Sequence, residues 1–257
     1  MSSLVQIQRF NQGLVALRMG FEESSPAFDE QLLATLAAAF ASVAADSDVS
    51  AIVVCGSAGR FLSGADVAFF LECLRRGQLD RVLQFTRQAQ RLLIDISRCP
   101  KPVTAWIEGP AIGGGLELAL AADLRVAAAG IELAVPEVKI GTLPGWGGTS
   151  RLPALIGVAR AKQLIFTGAR IDAATAERWG LVNEVVPRET LMTRARAIAD
   201  EIAANAPISV QLAKQAIEGD RGMTLEAMAS ALAATTDDAR EGIASFREKR
   251  AAEFTGR

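Results

Sequence analysis

The chain has 257 residues, half of them hydrophobic, and 27 basic side chains against 29 acidic ones, for a net charge of −2. That length allows one large domain or two small ones, and the near balance of charge offers no basic surface for nucleic acid or an anionic membrane. Histidine and tyrosine are absent. This excludes Ser-His-Asp and Cys-His catalysis, His-ligated zinc and phenolic proton transfer, and it leaves carboxylates or lysines as the proton carriers of any enzyme.

The start, MSSLVQIQRF, has no basic region followed by an apolar stretch, so no secretory signal is expected. VQIQRFNQGLVALRM alternates on both sides of Asn11-Gln12-Gly13 and reads as a β-hairpin. FDEQLLATLAAAFASVAAD places Leu32, Leu33, Leu36 and Phe40 on one helical stripe. AIVVCGSAG is a short apolar strand closed by turn residues, and a single helical stretch is expected from Phe69 to Ile96. KPVTAWIEG reads as a second buried strand, GGGLELALAAD as a helix opening on glycine, and DLRVAAAG and IELAVPE as two more strands. Beyond GTLPGWGGT the pattern is helical to the end, with breaks near Gly168, Gly180, Pro207 and Gly222. Strands and helices thus alternate over the first ~150 residues, which predicts an α/β core with a helical C-terminal part. Apolar runs are too short for the ~20 residues of a membrane span. Cys55, Cys73 and Cys99, odd in number and widely spaced, read as reduced thiols of a cytoplasmic chain.

Two glycine-rich stretches need sorting first. GGGLEL follows a strand and opens a helix, but Leu118 stands at the third glycine position of a dinucleotide fingerprint. GWGGTS lacks the lysine of a P-loop. Neither is a nucleotide site.

A helix that opens on glycine instead presents unpaired N–H groups that a ligand can approach closely. Gly114 and Glu117 lie three residues apart, hence on nearly the same helical face. An amide donor and a carboxylate then converge, unless the glycines merely turn the chain and Glu117 points to water. Glu137, leaving an apolar strand behind a proline, is either a second carboxylate of that site or a solvated loop residue. RFLSGAD, residues 60 to 66, follows the AIVVC strand, where α/β proteins commonly build sites. It too reads equally as a turn.

Taken together, GRFLSGAD, KPVTAWIEGPAIGGGLELALAADLRVA, LAVPEVKIGTLPGWGGTSRLPALIG, AKQLIFTGARIDAATAERWGLVNEVV and EGIASFREKR resemble the crotonase, or enoyl-CoA hydratase/isomerase, superfamily in content and order. The resemblance covers most of residues 50 to 250. It implies a crotonase-like α/β fold, a spiral of ββα units over 1–195 that carries an acyl-CoA site. A helical C-terminal region over 196–257 would serve trimerisation, as a homotrimer or a dimer of trimers. It implies an oxyanion hole from the N–H groups of Ala65 and Gly114, with Glu117 as base toward water and Glu137 as acid toward Cα.

Substrate contacts are expected from Ser63, Gly64, Ala65, Asp66, Val67 and Ala68, from Gly113 and Gly145, and from Phe246 and Lys249 near the C-terminus. The implied reaction is hydration of a 2-trans-enoyl-CoA to a 3-hydroxyacyl-CoA. No metal or other cofactor is expected, coenzyme A being part of the substrate. The alternatives are a Δ3-Δ2 isomerase or a hydrolase on a specialised acyl-CoA, which often keep one of the two glutamates, and a non-catalytic binding homologue.

The chain departs from the family at Ala68, where a lysine is common, and at Glu22 and Glu23, where positive charge is usual. The resemblance therefore gives no phosphate contacts here, while it keeps the thioester chemistry. Between Asp66 and Lys101 a few extra residues carry Phe69, Phe70 and Leu74, in a region where acyl pockets vary. Trp146 replaces a residue that is often small; it either packs the loop or narrows the pocket.

Overall fold

The computed structural model describes residues 4–10, 13–20, 27–218 and 223–257. Strands β1 (Val5–Arg9) and β2 (Leu14–Met19) pair antiparallel, Val5 opposite Met19. Asn11 and Gln12 of the expected turn lie outside the described residues. Helix α1 (Glu30–Ala45) starts where the Asp29 side chain accepts from Leu32 N–H at 2.6 Å, and its Leu32, Leu33, Leu36 and Phe40 are buried. Strand β3 (Ala51–Cys55) follows, wholly buried.

The single helix expected over 69–96 is two: α2 (Val67–Arg75) and α3 (Leu79–Ser97). Gly77, at φ 66°, breaks them; this left-handed conformation ends a helix cheaply only at glycine. Then come β4 (Val103–Ile107), β5 (Ala111–Ile112), α4 (Gly114–Ala121), β6 (Leu124–Ala128), β7 (Glu132–Ala134) and a 3-10 turn over Glu137–Ile140. Helices α5 (Gly148–Ile156) and α6 (Val158–Thr167), strand β8 (Arg170–Asp172), helix α7 (Ala173–Trp179), strand β9 (Glu184–Val186) and helices α8 (Leu191–Ala203), α9 (Pro207–Glu218), α10 (Met223–Ala233) and α11 (Asp237–Glu248) complete the chain.

The C-terminal part is therefore not helical throughout. Three-residue strands such as β8 and β9 are too short to show a period of two. Gly168 and Gly180 end α6 and α7 in left-handed conformations, and Pro207 opens α9; Gly222 lies outside the described residues.

The main sheet runs β1-β2-β3-β4-β6-β9 and is parallel from β2 onward; a small second sheet runs β5-β7-β8. β3 and β4 are buried on both faces, as central parallel strands require. Helix α8 packs on β2, β3, β4 and β6, with Leu191, Ala195 and Ala199 buried. The expected boundary at 195/196 thus falls inside a core helix.

Helices α9 to α11 differ. Ile217, Met228, Leu232, Ile243 and Phe246 are exposed there. All three cysteines are free and buried, and burial pushes the Cys55 thiol up to about 12. Among the described residues, no helix is long and apolar enough to cross a membrane.

Candidate active site

β3 and β4 are parallel neighbours, so the chain leaving each emerges at the same edge of the sheet. After β3 it passes through the buried Phe61 and Leu62 to Gly64. Phe28 pins this segment: its N–H donates to the Gly64 carbonyl at 2.8 Å, and its carbonyl accepts from Asp66 N–H at 2.9 Å. A parallel bridge of this kind uses groups on either side of Ala65 and turns the Ala65 N–H the other way. Asp66 caps α2, its Oδ1 accepting from Ala68 N–H at 2.8 Å, so its side chain serves the helix. Ser63, Val67 and Ala68 form an exposed rim.

The chain after β4 supplies the other half. Ile112 N–H donates to the Leu62 carbonyl at 3.0 Å and lashes the two segments together. Gly113 sits at φ 56°, ψ −127°, a region open only to glycine, and a Cβ there would stand 2.8 Å from Glu137 Oε1. A Cβ on Gly64 would lie 3.7 Å from Gly114 N. The backbones of Gly64, Gly113 and Gly114 thus approach one another with no side chain between them. Gly114 opens α4, where an N–H has no acceptor inside its own helix. Among the described residues, no protein acceptor takes the N–H of Ala65 or Gly114.

Glu117 lies one turn further along α4 and is only 2% exposed. Its Oε1 accepts from Trp146 N–H at 2.8 Å and from Gly148 N–H at 2.7 Å. Gly148 opens α5, so the carboxylate faces the positive end of a second helix. Arg151 braces this loop, Nη1 donating to the Trp146 carbonyl at 3.0 Å and Nη2 to the Leu93 carbonyl at 3.2 Å. At the other end of α4, the buried Arg125 donates to the carbonyls of Ala122 at 2.7 Å and Ala119 at 3.4 Å. Burial raises the Glu117 carboxyl to about 7, with help from the charge of Glu137. The two N–H bonds and Arg151 oppose that rise.

Glu137 begins the 3-10 turn after β7. Its Oε1 lies over Gly113, and its Oε2 is buried with no hydrogen-bond partner among the described residues. Burial raises this carboxyl as well. The solvated alternatives for Glu117 and Glu137 therefore do not describe this molecule.

Other expected contacts are placed differently. Gly145 fastens the loop to α3, its carbonyl accepting from Gln90 Nε2 at 2.7 Å. Phe246 is 86% exposed and Lys249 caps α11; among the described residues, no hydrogen bond or ring contact joins either to the Ala65 loop.

Trp146 is 5% exposed and packs edge-on against Phe28 and Phe85, with centroids 5.4 and 5.6 Å away. Phe85 in turn meets Phe69 at 5.0 Å and Phe70 at 5.8 Å. Each such pair contributes about 0.5–1.5 kcal/mol beyond its buried area, so the rings support one another's positions. Sequence reasoning missed the Trp146–Gly148 clamp on Glu117, the brace at Arg151 and the pin at Phe28. The glycine pair ahead of Thr149 did signal a close approach at a helix start; Phe28, ahead of its helix, gave no signal.

Two N–H donors without protein partners among the described residues, the buried Glu117 and the half-buried Glu137 thus surround one glycine turn. Such a site can stabilise charge on a carbonyl oxygen and move protons at the carbons beside it.

Comparison with known proteins bears on that chemistry. The family model for enoyl-CoA hydratase/isomerase matches residues 9–257. The chain is similar to enoyl-CoA hydratase domain-containing protein 2, mitochondrial, of Bos taurus, 39% identical over 96% of this chain and 86% of that protein. It is also similar to the crotonyl-CoA hydratase of Syntrophomonas wolfei, 37% identical over 94% of each. Among solved structures, an enoyl-CoA hydratase from Bacillus anthracis superposes with a TM-score of 0.92 at 34% identity, covering 99% of this chain and 100% of that one.

Proposed function

The chain belongs to the enoyl-CoA hydratase/isomerase family, and on that premise we propose that it hydrates a 2-trans-enoyl-CoA to a 3-hydroxyacyl-CoA. The thioester oxygen lies between the N–H groups of Ala65 and Gly114. Addition of water at C3 pushes electrons onto that oxygen, and the two donors hold the enolate-like charge; losing one such donor typically costs about 3–4 kcal/mol. Glu117, pinned through one oxygen by two N–H groups, acts in its ionised form and takes a proton from water as the C3–O bond forms. Glu137 starts protonated and delivers its proton to C2 as the enolate collapses. The pair ends with its protonation exchanged and resets through solvent.

The unequal hydrogen bonding of the buried Glu117 and the half-buried Glu137 carries this reading. Glu117 accepts two N–H bonds, which favour an ionised base. Glu137 keeps a buried oxygen without a partner among the described residues, which favours a proton-bearing acid. An isomerase or hydrolase of the family needs fewer groups than are assembled here, and a silent binding homologue needs neither. Coenzyme A enters as part of the substrate, and the scheme uses no other cofactor.

The same proposal includes a homotrimer, or a dimer of trimers, that covers the apolar face of α9 to α11 and brings Phe246 and Lys249 to coenzyme A. It also includes a reducing compartment such as the cytoplasm, which suits three free thiols.

Incubation with crotonyl-CoA tests the reaction. The conjugated-thioester absorbance should fall as 3-hydroxybutanoyl-CoA forms; a stable absorbance, with the substrate demonstrably bound, rejects hydration. The rate should rise with pH as Glu117, raised to about 7, ionises; a rate that does not change between pH 5 and pH 8 counts against Glu117 as the base.

A further inference from the structure

We propose that the ring of Trp146, packed between Phe28 and Phe85, forms the floor of the acyl pocket and restricts this site to short-chain acyl-CoA thioesters. The inference rests on the acyl-CoA reading above and adds the class of acyl group.

The six-membered ring of Trp146 lies on the first turn of α4. A Cβ on Gly114 would stand 2.6 Å from Cε3 and 3.1 Å from Cη2. The same residue whose N–H is offered to the thioester oxygen is therefore in contact with the indole. On the solvent side of Gly114, the exposed Ser63, Val67 and Ala68 mark the mouth through which the bulky coenzyme must leave. The acyl tail points the other way, past Glu117 and Glu137, where the rings stand.

That floor has no slack. Phe28 is fully buried and Phe85 is 1% exposed. Phe28 is held through its backbone to Gly64 and Asp66, in the segment that presents the Ala65 N–H. Phe69 and Phe70, on the helix that follows that segment, close on Phe85 from behind. Of the eleven phenylalanines and three tryptophans, these five converge at one side of one glycine turn. Moving the Trp146 ring aside would break its contacts with Phe28 and Phe85, and Phe85 is itself packed against Phe69 and Phe70. A four-carbon acyl group ends close to the carboxylates and needs no such movement. A ten-carbon group continues by six methylenes into space the rings already fill.

Calorimetric titration with butanoyl-CoA and decanoyl-CoA, neither of which can react, separates the possibilities. The wild-type protein should bind butanoyl-CoA tighter than decanoyl-CoA by about tenfold or more, since even one methylene without room is costly. Trp146→Ala keeps the backbone N–H to Glu117 and removes the ring. In that variant the decanoyl-to-butanoyl affinity ratio should rise by about tenfold or more. Phe85→Leu, one layer behind, should move the ratio the same way and serves if Trp146→Ala does not fold. Equal affinities in the wild type, or an unchanged ratio in a folded variant, overturn the inference and leave the acyl-CoA reading standing. Tight binding of 3-phenylpropanoyl-CoA by the wild type also overturns it, because the rings then act as a stacking surface. Failure of the wild type to bind any of the three rejects the acyl-CoA reading itself.

Discussion

The junction of α4 with α5 holds the buried Glu117 and the turn after β7 the half-buried Glu137, and the two environments treat a carboxyl differently. At the junction, two backbone N–H groups reach Glu117 Oε1 at 2.8 and 2.7 Å, and a helix N-terminus faces it. At the turn, Glu137 has one oxygen over Gly113 and the other buried without a partner among the described residues. Burial raises both carboxyls, so desolvation alone cannot give them separate roles. The hydrogen bonds differ: two N–H groups oppose the rise at Glu117, which still reaches about 7, and among the described residues no donor meets Glu137 Oε2.

The sharpest break of this contrast is Glu117→Gln, which keeps acceptors for both N–H groups but removes the base. Crotonyl-CoA hydration should fall by about 10³-fold or more, while butanoyl-CoA affinity measured by calorimetry changes by less than about threefold.

Next in size is Gly114→Ala. Its methyl would run into the Trp146 ring, displace the amide donor and lower kcat/KM by about 10²–10³-fold. Gly145→Ala, whose Cβ meets nothing nearer than 3.7 Å, should cost less than about tenfold. Steady-state kinetics of the two variants side by side checks this.

Arg151→Met acts on the junction alone. It frees the Trp146 carbonyl and removes the positive charge near Glu117; the turn at Glu137 is untouched. kcat should fall by about ten- to a hundredfold with KM changing less, and the acidic limb of the pH–rate profile should move to higher pH. Arg151→Lys should return the limb partway. A limb that stays at the wild-type pH in both variants means Arg151 only braces the loop.

The smallest effect is on stability. The folded value of Glu117, about 7, lies above its ordinary value of 4.5, so the folded chain holds this proton more tightly than the unfolded one. The contribution of Glu117 to stability is therefore full below about pH 4.5. It declines as pH rises toward about 7 and is lost above, by something on the order of 2–3 kcal/mol. Glu117→Gln has no proton to lose. Urea denaturation at pH 5 and pH 8 should show the variant gaining on the wild type at the higher pH; a constant gap would remove the burial argument for Glu117.

Much of this was legible in the order of residues. The stripe of Leu32, Leu33, Leu36 and Phe40 and the apolar runs at 51–55 and 103–107 fixed helix and strands, because burial writes a period or a run into sequence. Gly114 and Glu117 announced a shared face by their spacing. Other features depend on partners distant in the chain and leave no local pattern. Phe28 bonds to Gly64 and Asp66, and Arg151 reaches back to Leu93. The N–H clamp on Glu117 uses backbone atoms, so the glycine pair before Thr149 signals a close approach there but not what approaches. The strand β9 was hidden because three residues beside β6 suffice to finish a sheet edge.

The account stands most directly on Glu137. Crotonyl-CoA hydration by Glu137→Gln should drop by about 10³-fold or more, with butanoyl-CoA still bound at near wild-type affinity. Retention of most of the wild-type rate by that variant would contradict the assignment of two carboxyls to two proton transfers.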